Sequence, residues 1–276
     1  MTESAIKQPL LEIKGLKISF GGLVAVDKLD LMVLPGEIVG LIGPNGAGKT
    51  TLFNCISRFY DPDAGTIYFQ GRDITRVPSH EIIRLGIART FQNVELCKSM
   101  TVLENLLVGQ HVMIRGNLVR DGLRLPGARR AEAAAAARAE EMLGLLGLTP
   151  YRDRIASGLP FGLQKKVELG RGLVSQPRLL LLDEPAAGAD VRETQDLAEL
   201  IHRLHARFRL GILIVEHDMQ FVMGLCQRLY VLDFGRKIAE GPPQEIQNHP
   251  AVIEAYLGEP TIALSESQDV RFPAPG

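Results

Sequence analysis

The residues best suited to chemistry begin at Gly43-Pro44-Asn45-Gly46-Ala47-Gly48-Lys49-Thr50, a G-x-x-x-x-G-K-T stretch. Glycines at this spacing let backbone N–H groups turn inward around phosphate oxygens. Lys49 would set its ammonium on β- and γ-phosphates, and Thr50 would offer a hydroxyl to Mg²⁺. Two more polar clusters follow apolar runs. Asp183 and Glu184 come after Leu179-Leu180-Leu181-Leu182, and Glu216-His217-Asp218 comes after Gly211-Ile212-Leu213-Ile214-Val215. An aspartate so placed can hold Mg²⁺, and the glutamate after it can polarise an attacking water. His217 is placed to touch a phosphate. Gln92 ends the run Ile87-Ala88-Arg89-Thr90-Phe91-Gln92, where a side-chain carbonyl could ligate Mg²⁺ or its water. Only its context gives Gln92 that meaning.

These groups need elements that bring them together. Ile38-Val39-Gly40-Leu41-Ile42 reads as a strand feeding the glycine-rich loop. Thr51-Leu52-Phe53-Asn54-Cys55-Ile56 reads as the helix after it, whose positive N-terminal end favours anions. The leucine run and Gly211 to Val215 read as buried parallel strands ending at an active-site edge. Before the loop, Leu11 to Phe20 and Val24 to Val33 alternate apolar and polar residues, which predicts an antiparallel lobe of short strands. Phe20 is open between two roles, a ring stacked on a nucleotide base and a core residue of an alternating strand.

From Asn93 to Leu159 the pattern becomes helical. Thr101-Val102-Leu103-Glu104 is a capping-box pattern, and Ala131 to Leu146 is a strong helix former with an apolar side. Arg115 to Arg130 carries five arginines against one acid, Asp121, and reads as a loop, either solvated or facing lipid headgroups or a partner. A helix over Lys165 to Val174 follows Leu159-Pro160-Phe161-Gly162-Leu163-Gln164, and another starts at Asp190-Val191-Arg192-Glu193. Asp233-Phe234-Gly235 reads as a hairpin turn, since no H-R-D loop precedes it as a kinase would require. Pro250 to Leu257 reads as a short helix, and Glu259 to Gly276, polar with prolines, as frayed or disordered.

Composition narrows the class. The 276 residues are 46% apolar and 23% charged, an ordinary globular balance with room for two lobes. A net charge of −1 argues against a dedicated nucleic-acid binder. No apolar run approaches the ~18–20 residues of a membrane span. Met1 to Gly15 has no apolar core after a basic start, so no secretory signal is expected. Three scattered cysteines fit a reducing cytosol and no disulfide framework, with Cys55 and Cys226 in apolar surroundings.

The ordered set of Phe20, the glycine-rich loop, Gln92, the Leu159 to Leu163 segment, Leu-Leu-Asp-Glu-Pro and Glu-His-Asp resembles the ATP-binding subunit of an ABC (ATP-binding cassette) transporter. The likeness covers about Leu11 to Gly258, and the ATPase domain it implies spans 9–258, with the helical lobe, about 93–165, inserted. The resemblance implies an α/β fold: a P-loop NTPase (RecA-like) core with an antiparallel β lobe and that helical lobe. Phe20-Gly21-Gly22-Leu23-Val24-Ala25-Val26, Ala88-Arg89-Thr90-Phe91-Gln92, Met100 to Asn105 and Pro250 to Gly258 are most similar to the larger ATPase subunit of branched-chain amino-acid importers. By that resemblance Phe20 stacks on adenine, with Val26 in the same nucleotide-binding set. Asn45, Gly46, Ala47, Gly48, Lys49, Thr50 and Thr51 hold the phosphates. Thr50, Gln92 and Asp183 ligate Mg²⁺, Asp183 mainly through water. Glu184 is the general base, His217 the γ-phosphate sensor, and Ala186 to Asp190 the loop that reaches across a dimer.

The family further implies ATP and Mg²⁺ as ligands, two transmembrane permease subunits, and a second ATPase subunit or another copy of this chain. It also implies a solute-binding protein acting indirectly, no nucleic acid, and a peripheral place on the cytoplasmic face of the membrane. One departure stands out. The family's signature, usually Leu-Ser-Gly-Gly-Gln, is Leu159-Pro160-Phe161-Gly162-Leu163 here, which removes a hydroxyl and an N–H. The alternatives are a soluble ABC ATPase on ribosomes or DNA, and an export ATPase for lipid or polysaccharide. The former commonly has two cassettes or a long coiled-coil insertion, and this sequence has neither. A regulatory GTPase lacks its Asn-Lys-x-Asp motif here.

Overall fold

The structure, a computed structural model, describes residues 8–90, 94–111 and 126–257. β1 (Leu11–Phe20) and β2 (Leu23–Val33) form an antiparallel hairpin. β3 (Ile38–Ile42) enters the glycine-rich loop and α1 (Lys49–Ile56) leaves it. β4 (Ala64–Phe69) pairs with β1, and the two-residue β5 (Arg72–Asp73) pairs with β4. Then come α2 (Ser79–Leu85), β6 (Ile87–Arg89), α3 (Val102–His111), α4 (Pro126–Leu145) and α5 (Phe161–Leu173). The next stretch alternates: β7 (Leu179–Asp183), α6 (Val191–Phe208), β8 (Gly211–Val215), α7 (Met219–Leu225) and β9 (Arg228–Asp233). β10 (Arg236–Gly241), α8 (Pro243–Gln247) and α9 (Pro250–Leu257) complete the described chain.

Among the described residues the strands make two sheets, β2-β1-β4-β5 and β10-β9-β3-β8-β7-β6. In the second, β9, β3, β8, β7 and β6 are parallel, and β10 is an antiparallel edge. Both faces of this sheet are covered, so β3, β7 and β8 are buried at every position and read as continuous apolar runs. Alternate residues enter different cores. Ile38, Ile42, Leu180, Leu182, Ile212 and Ile214 join the helical side with Leu106, Leu143, Val167, Leu200 and Val222. Val39, Leu41, Leu179, Leu181, Leu213 and Val215 join the antiparallel sheet and α1 through Ile13, Val26, Leu52 and Phe53. The period-2 geometry of a strand thus splits one leucine run between two layers.

The capping boxes form as expected. Glu104 N–H donates to Thr101 Oγ1 at 3.2 Å and Thr101 N–H to Glu104 Oε2 at 2.7 Å. Asp190 and Glu193 do the same at 2.8 and 3.1 Å. Cys55 and Cys226 are buried, and burial pushes the Cys55 thiol up to about 12, leaving it unreactive. Several expectations change. β1 and β2 are long, at 10 and 11 residues, because each carries register shifts that let a long strand coil. The short helices α2 and α8 appear where none was expected. α4 begins at Pro126, so the end of the arginine-rich stretch is helix; proline suits a first turn and arginine a helix interior. Residues 112–125 of that stretch and the tail from Glu259 to Gly276 lie outside the described residues.

Leu181 is fully buried in β7 against α1 and the antiparallel sheet. Leu181→Ala should cost about 2–5 kcal/mol, read as a lower urea midpoint with an unchanged slope.

Candidate active site

The parallel ladder brings the chemistry to one edge. Leu41 and Asp183 are both in register with Val215, so β3, β8 and β7 end at a common level. The loops that leave them carry Lys49, Glu216 with His217, and Glu184. The glycine-rich loop is braced from two sides. A Cβ on Gly43, whose φ is +147°, would lie 2.0 Å from the Leu232 carbonyl oxygen. A Cβ on Gly48, with φ +99°, would lie 2.4 Å from the Ala25 carbonyl oxygen. The β9–β10 turn adds a tie: Gly235 N–H donates to Ala47 O at 3.1 Å, and Asp27 N–H to Gly235 O at 2.9 Å. Asp233-Phe234-Gly235 therefore supports the loop from outside.

Asn45 and Gly46 are exposed on the loop, Ala47 is buried, and Thr50 and Thr51 open the first turn of α1. Lys49 is buried, and its ammonium donates to Gly43 O at 2.5 Å and Pro44 O at 2.8 Å. It lies across the loop's own carbonyls, where an anion entering the loop meets it. Phe20 is 45% exposed, which decides against a core role. Its ring meets Tyr60 edge-on, with centroids 5.2 Å apart. Tyr60 was not anticipated, since it lies between the end of α1 and Asp61-Pro62, where no strand or helix pattern assigns it a direction. Val26 differs from expectation: it is fully buried beside Gly48, so it supports the loop and offers a ligand no surface of its own.

Asp183 is buried and ion-paired, with Arg89 donating to its Oδ2 at 2.7 Å. Arg89 also donates to Asn54 Oδ1 on α1 at 2.8 Å and lies 5.5 Å from the Phe53 ring centroid. One guanidinium thus links β6, β7 and α1, a role visible in the sequence only as an arginine before Gln92. Gln92 itself lies outside the described residues. Glu184 sits at φ +46°, a left-handed conformation costing a non-glycine residue about 1–2 kcal/mol. Its N–H donates to Val215 O at 2.9 Å, and its carbonyl accepts from Ala187 N–H at 3.1 Å. His217 Nδ1 lies 3.9 Å from Glu184 Oε2 and 3.8 Å from Glu216 Oε2.

Two charged groups, the buried Glu216 and the half-buried Lys165, hold the segment after Glu184. Glu216 accepts from Ala186 N–H at 2.7 Å and from His217 N–H at 3.1 Å. Burial pushes its pKa up, against the N–H donors of Ala186, His217 and Asp218 and the charge of His217. Lys165, on α5, donates to Pro185 O at 2.8 Å and Ala187 O at 2.6 Å. Burial pushes its pKa down, opposed by Glu216, Glu168, Glu184 and Glu193. Pro160 occupies the N-cap of α5, and the amides of Leu163 and Gln164 both donate to its carbonyl at 3.0 Å.

Thr50 and Asp183 are oxygen donors of the kind Mg²⁺ takes. Among the described residues no group of three or more His, Cys, Asp or Glu gathers as a metal site. One hydroxyl and one carboxylate are too few for an all-protein cage, and they fit a cation completed by phosphate oxygens and water.

A phosphate-binding loop at the edge of a parallel sheet, with a carboxylate and a histidine on the neighbouring strand ends, defines a phosphate-loop nucleoside triphosphatase. The ABC transporter family model matches residues 26–187. A second model, branched-chain amino acid ATP-binding cassette transporter, matches residues 236–261. The chain is 48% identical to the high-affinity branched-chain amino acid transport ATP-binding protein LivG of Escherichia coli K12, over 92% of this chain and 100% of that one. It is 37% identical to the lipopolysaccharide export ATP-binding protein LptB of Acidithiobacillus ferridurans, over 91% of this chain and 97% of that one. The crystal structure of an ABC transporter's ATP-binding cassette in its ADP conformation superposes with a TM-score of 0.80 at 34% identity, covering 91% of this chain and 99% of that one. This chain belongs to the ABC transporter family, as an ATP-binding subunit that binds nucleotide and hydrolyses ATP.

Two substitutions read the site's construction. Gly43→Ala drives a methyl into the Leu232 carbonyl and should weaken ATP binding more than ~10-fold, measured by fluorescent-nucleotide titration. Arg89→Met leaves the Asp183 charge buried without its partner and should cost about 3–5 kcal/mol in urea unfolding.

Proposed function

We propose that the chain powers uptake of branched-chain or related amino acids, as one of two ATPase subunits on the cytoplasmic face of a membrane. The observation that carries this reading is the match of residues 236–261 to the branched-chain cassette model, in a chain 92% of which aligns with the full length of LivG. The lower identity to LptB disfavours the export alternative. No helix among the described residues is long and apolar enough to cross a membrane, so two permease subunits would supply the path. A solute-binding protein would deliver cargo to them. The transported compound never touches this chain.

In the proposed chemistry, water attacks the γ-phosphorus in line, and ADP leaves as the bond to its β-phosphate oxygen breaks. Glu184 takes the water's proton. Lys49 shifts from the carbonyls of Gly43 and Pro44 to the β- and γ-phosphates, which the N–H groups from Asn45 to Thr51 surround. His217 contacts the γ-phosphate, and Phe20, backed by Tyr60, stacks on adenine. Thr50, Asp183 and Gln92 would hold Mg²⁺, which when bound neutralises phosphate charge. ATP held between two cassettes favours the closed pair, and hydrolysis releases it, biasing the permeases between two conformations.

Pro160 makes the pair asymmetric. The site built on Lys49, Glu184 and His217 would be completed by the partner's signature, while this chain's Pro160-Phe161-Gly162 would complete the partner's site less well. Pro160→Ser should then raise turnover at the second site.

Glu184→Gln should lower ATP turnover by at least ~100-fold while ATP still binds. A strain deleted for this gene should lose uptake of labelled leucine, isoleucine and valine and regain it with the wild-type chain but not with Glu184→Gln. Full uptake in the deletion strain would overturn the import reading and leave the ATPase standing. Capture of the tagged chain from solubilised membranes should bring two polytopic proteins and a second ATPase.

A further inference from the structure

The proposed chemistry uses Glu184 and His217 and leaves Glu216, between β8 and His217, without a task. Its side chain is fully buried. Removing an ionised carboxylate from water costs several kcal/mol, and an apolar or hydroxyl residue could end β8 far more cheaply. What Glu216 does instead is join two loops. Its Oε1 accepts from Ala186 N–H, on the loop after β7, and its Oε2 accepts from His217 N–H, on the loop after β8. Two donors from two loops need two acceptor oxygens, which an ionised carboxylate supplies. A carboxamide has one, and its NH₂ would confront the other donor.

The same segment is held from its other side. Lys165 takes the carbonyls of Pro185 and Ala187, the neighbours of the amide Glu216 takes. Its ammonium also lies 4.9 Å from the ring centroid of Phe161, in the first turn of α5. A continuous polar chain therefore runs from the start of α5 through residues 185–187 to Glu216 and His217, passing beside Glu184.

We propose that Glu216 is a positioning residue of the ATP site: its carboxylate fastens the loop after β7 to the loop after β8, so that Glu184 and His217 are set as one unit, and Lys165 carries that tie to the start of α5. The inference rests on the ATPase-site reading of Glu184 and His217. Through it, a shift at the start of α5 reaches the segment that follows the general base.

The test uses this chain purified together with its partner ATPase subunit, as wild type and as the variants Glu216→Gln, Lys165→Met and the double. Each single change should lower kcat by about 10–100-fold, as loss of an outer support does, with the Kd for ATP within about 2-fold of wild type. The double should lose little more than the worse single, because both hold one backbone segment. In Glu216→Ala, hydrogen exchange at the Ala186 amide should accelerate while the amides of β7 and β8 keep their protection. Full turnover in Glu216→Gln, fully additive losses, a Kd that rises in step with the fall in kcat, or unchanged Ala186 protection would each overturn the tie. A wild-type pair that turned over no ATP would count against the ATPase-site reading alone, and Ala186 exchange would still decide the role of Glu216.

Discussion

The backbone ladder that holds β3, β8 and β7 level is the constraint on which the site depends. Lys49, Glu184 and His217 come from distant parts of the chain, and it is the ladder that sets them at one level, with His217 Nδ1 3.9 Å from Glu184 Oε2. They meet because Leu41, Val215 and Asp183 share a register, so the loops beyond them leave the sheet at one height. That register is firmly set. Leu41, Leu181 and Leu213 face α1 and the antiparallel sheet, while Ile42, Leu182 and Ile214 face the helices. A slip of one residue would exchange the two faces of a strand and break both cores at once.

Much of this was legible from sequence because the signals are local. An apolar run followed at once by Asp-Glu, or by Glu-His-Asp, states both the strand and its polar end. The glycine-rich loop states its own backbone conformation. What escaped was pairing over distance. Arg89 and Asp183 are 94 positions apart, and nothing in either neighbourhood names the other. Lys165 reads in the sequence only as the start of a helix, and the fold lays residues 185–187 against it. Val26 read as a ligand contact because the stretch around it does, yet strand alternation turns it inward. Helices α2 and α8, at 7 and 5 residues, are too short to show a helical period.

The costly features of the molecule gather at the same edge. Glu184 in a left-handed conformation, the buried Arg89–Asp183 pair, the buried Glu216 and the ammonium of Lys49 all sit where the strands end. A fold concerned with stability alone would have apolar side chains there. The surrounding layers can carry this load: a fully buried leucine contributes roughly 2 kcal/mol, about what one left-handed residue costs, and leucines fill both faces of the sheet. Placing strain and buried charge beside so much rigid packing fixes the polar groups before a ligand arrives, which is what a site acting through electrostatics needs.

The start of α5 is where that logic gives a graded answer. A helix N-terminus attracts an anion through its free amides and dipole, and neither depends on the side chain at the N-cap. Pro160 keeps this backbone contribution, with Phe161 and Gly162 in the first turn. What it lacks, beside a serine, is one hydroxyl and one N–H. A hydrogen bond to a charged group is worth roughly 1.5–3 kcal/mol, or about 10- to 150-fold in affinity. In the proposed pair, the site this segment completes would thus be weakened and still bind nucleotide. Two sites of unequal strength would give the cassette pair a preferred order of release, an asymmetry that follows from one proline at a helix cap.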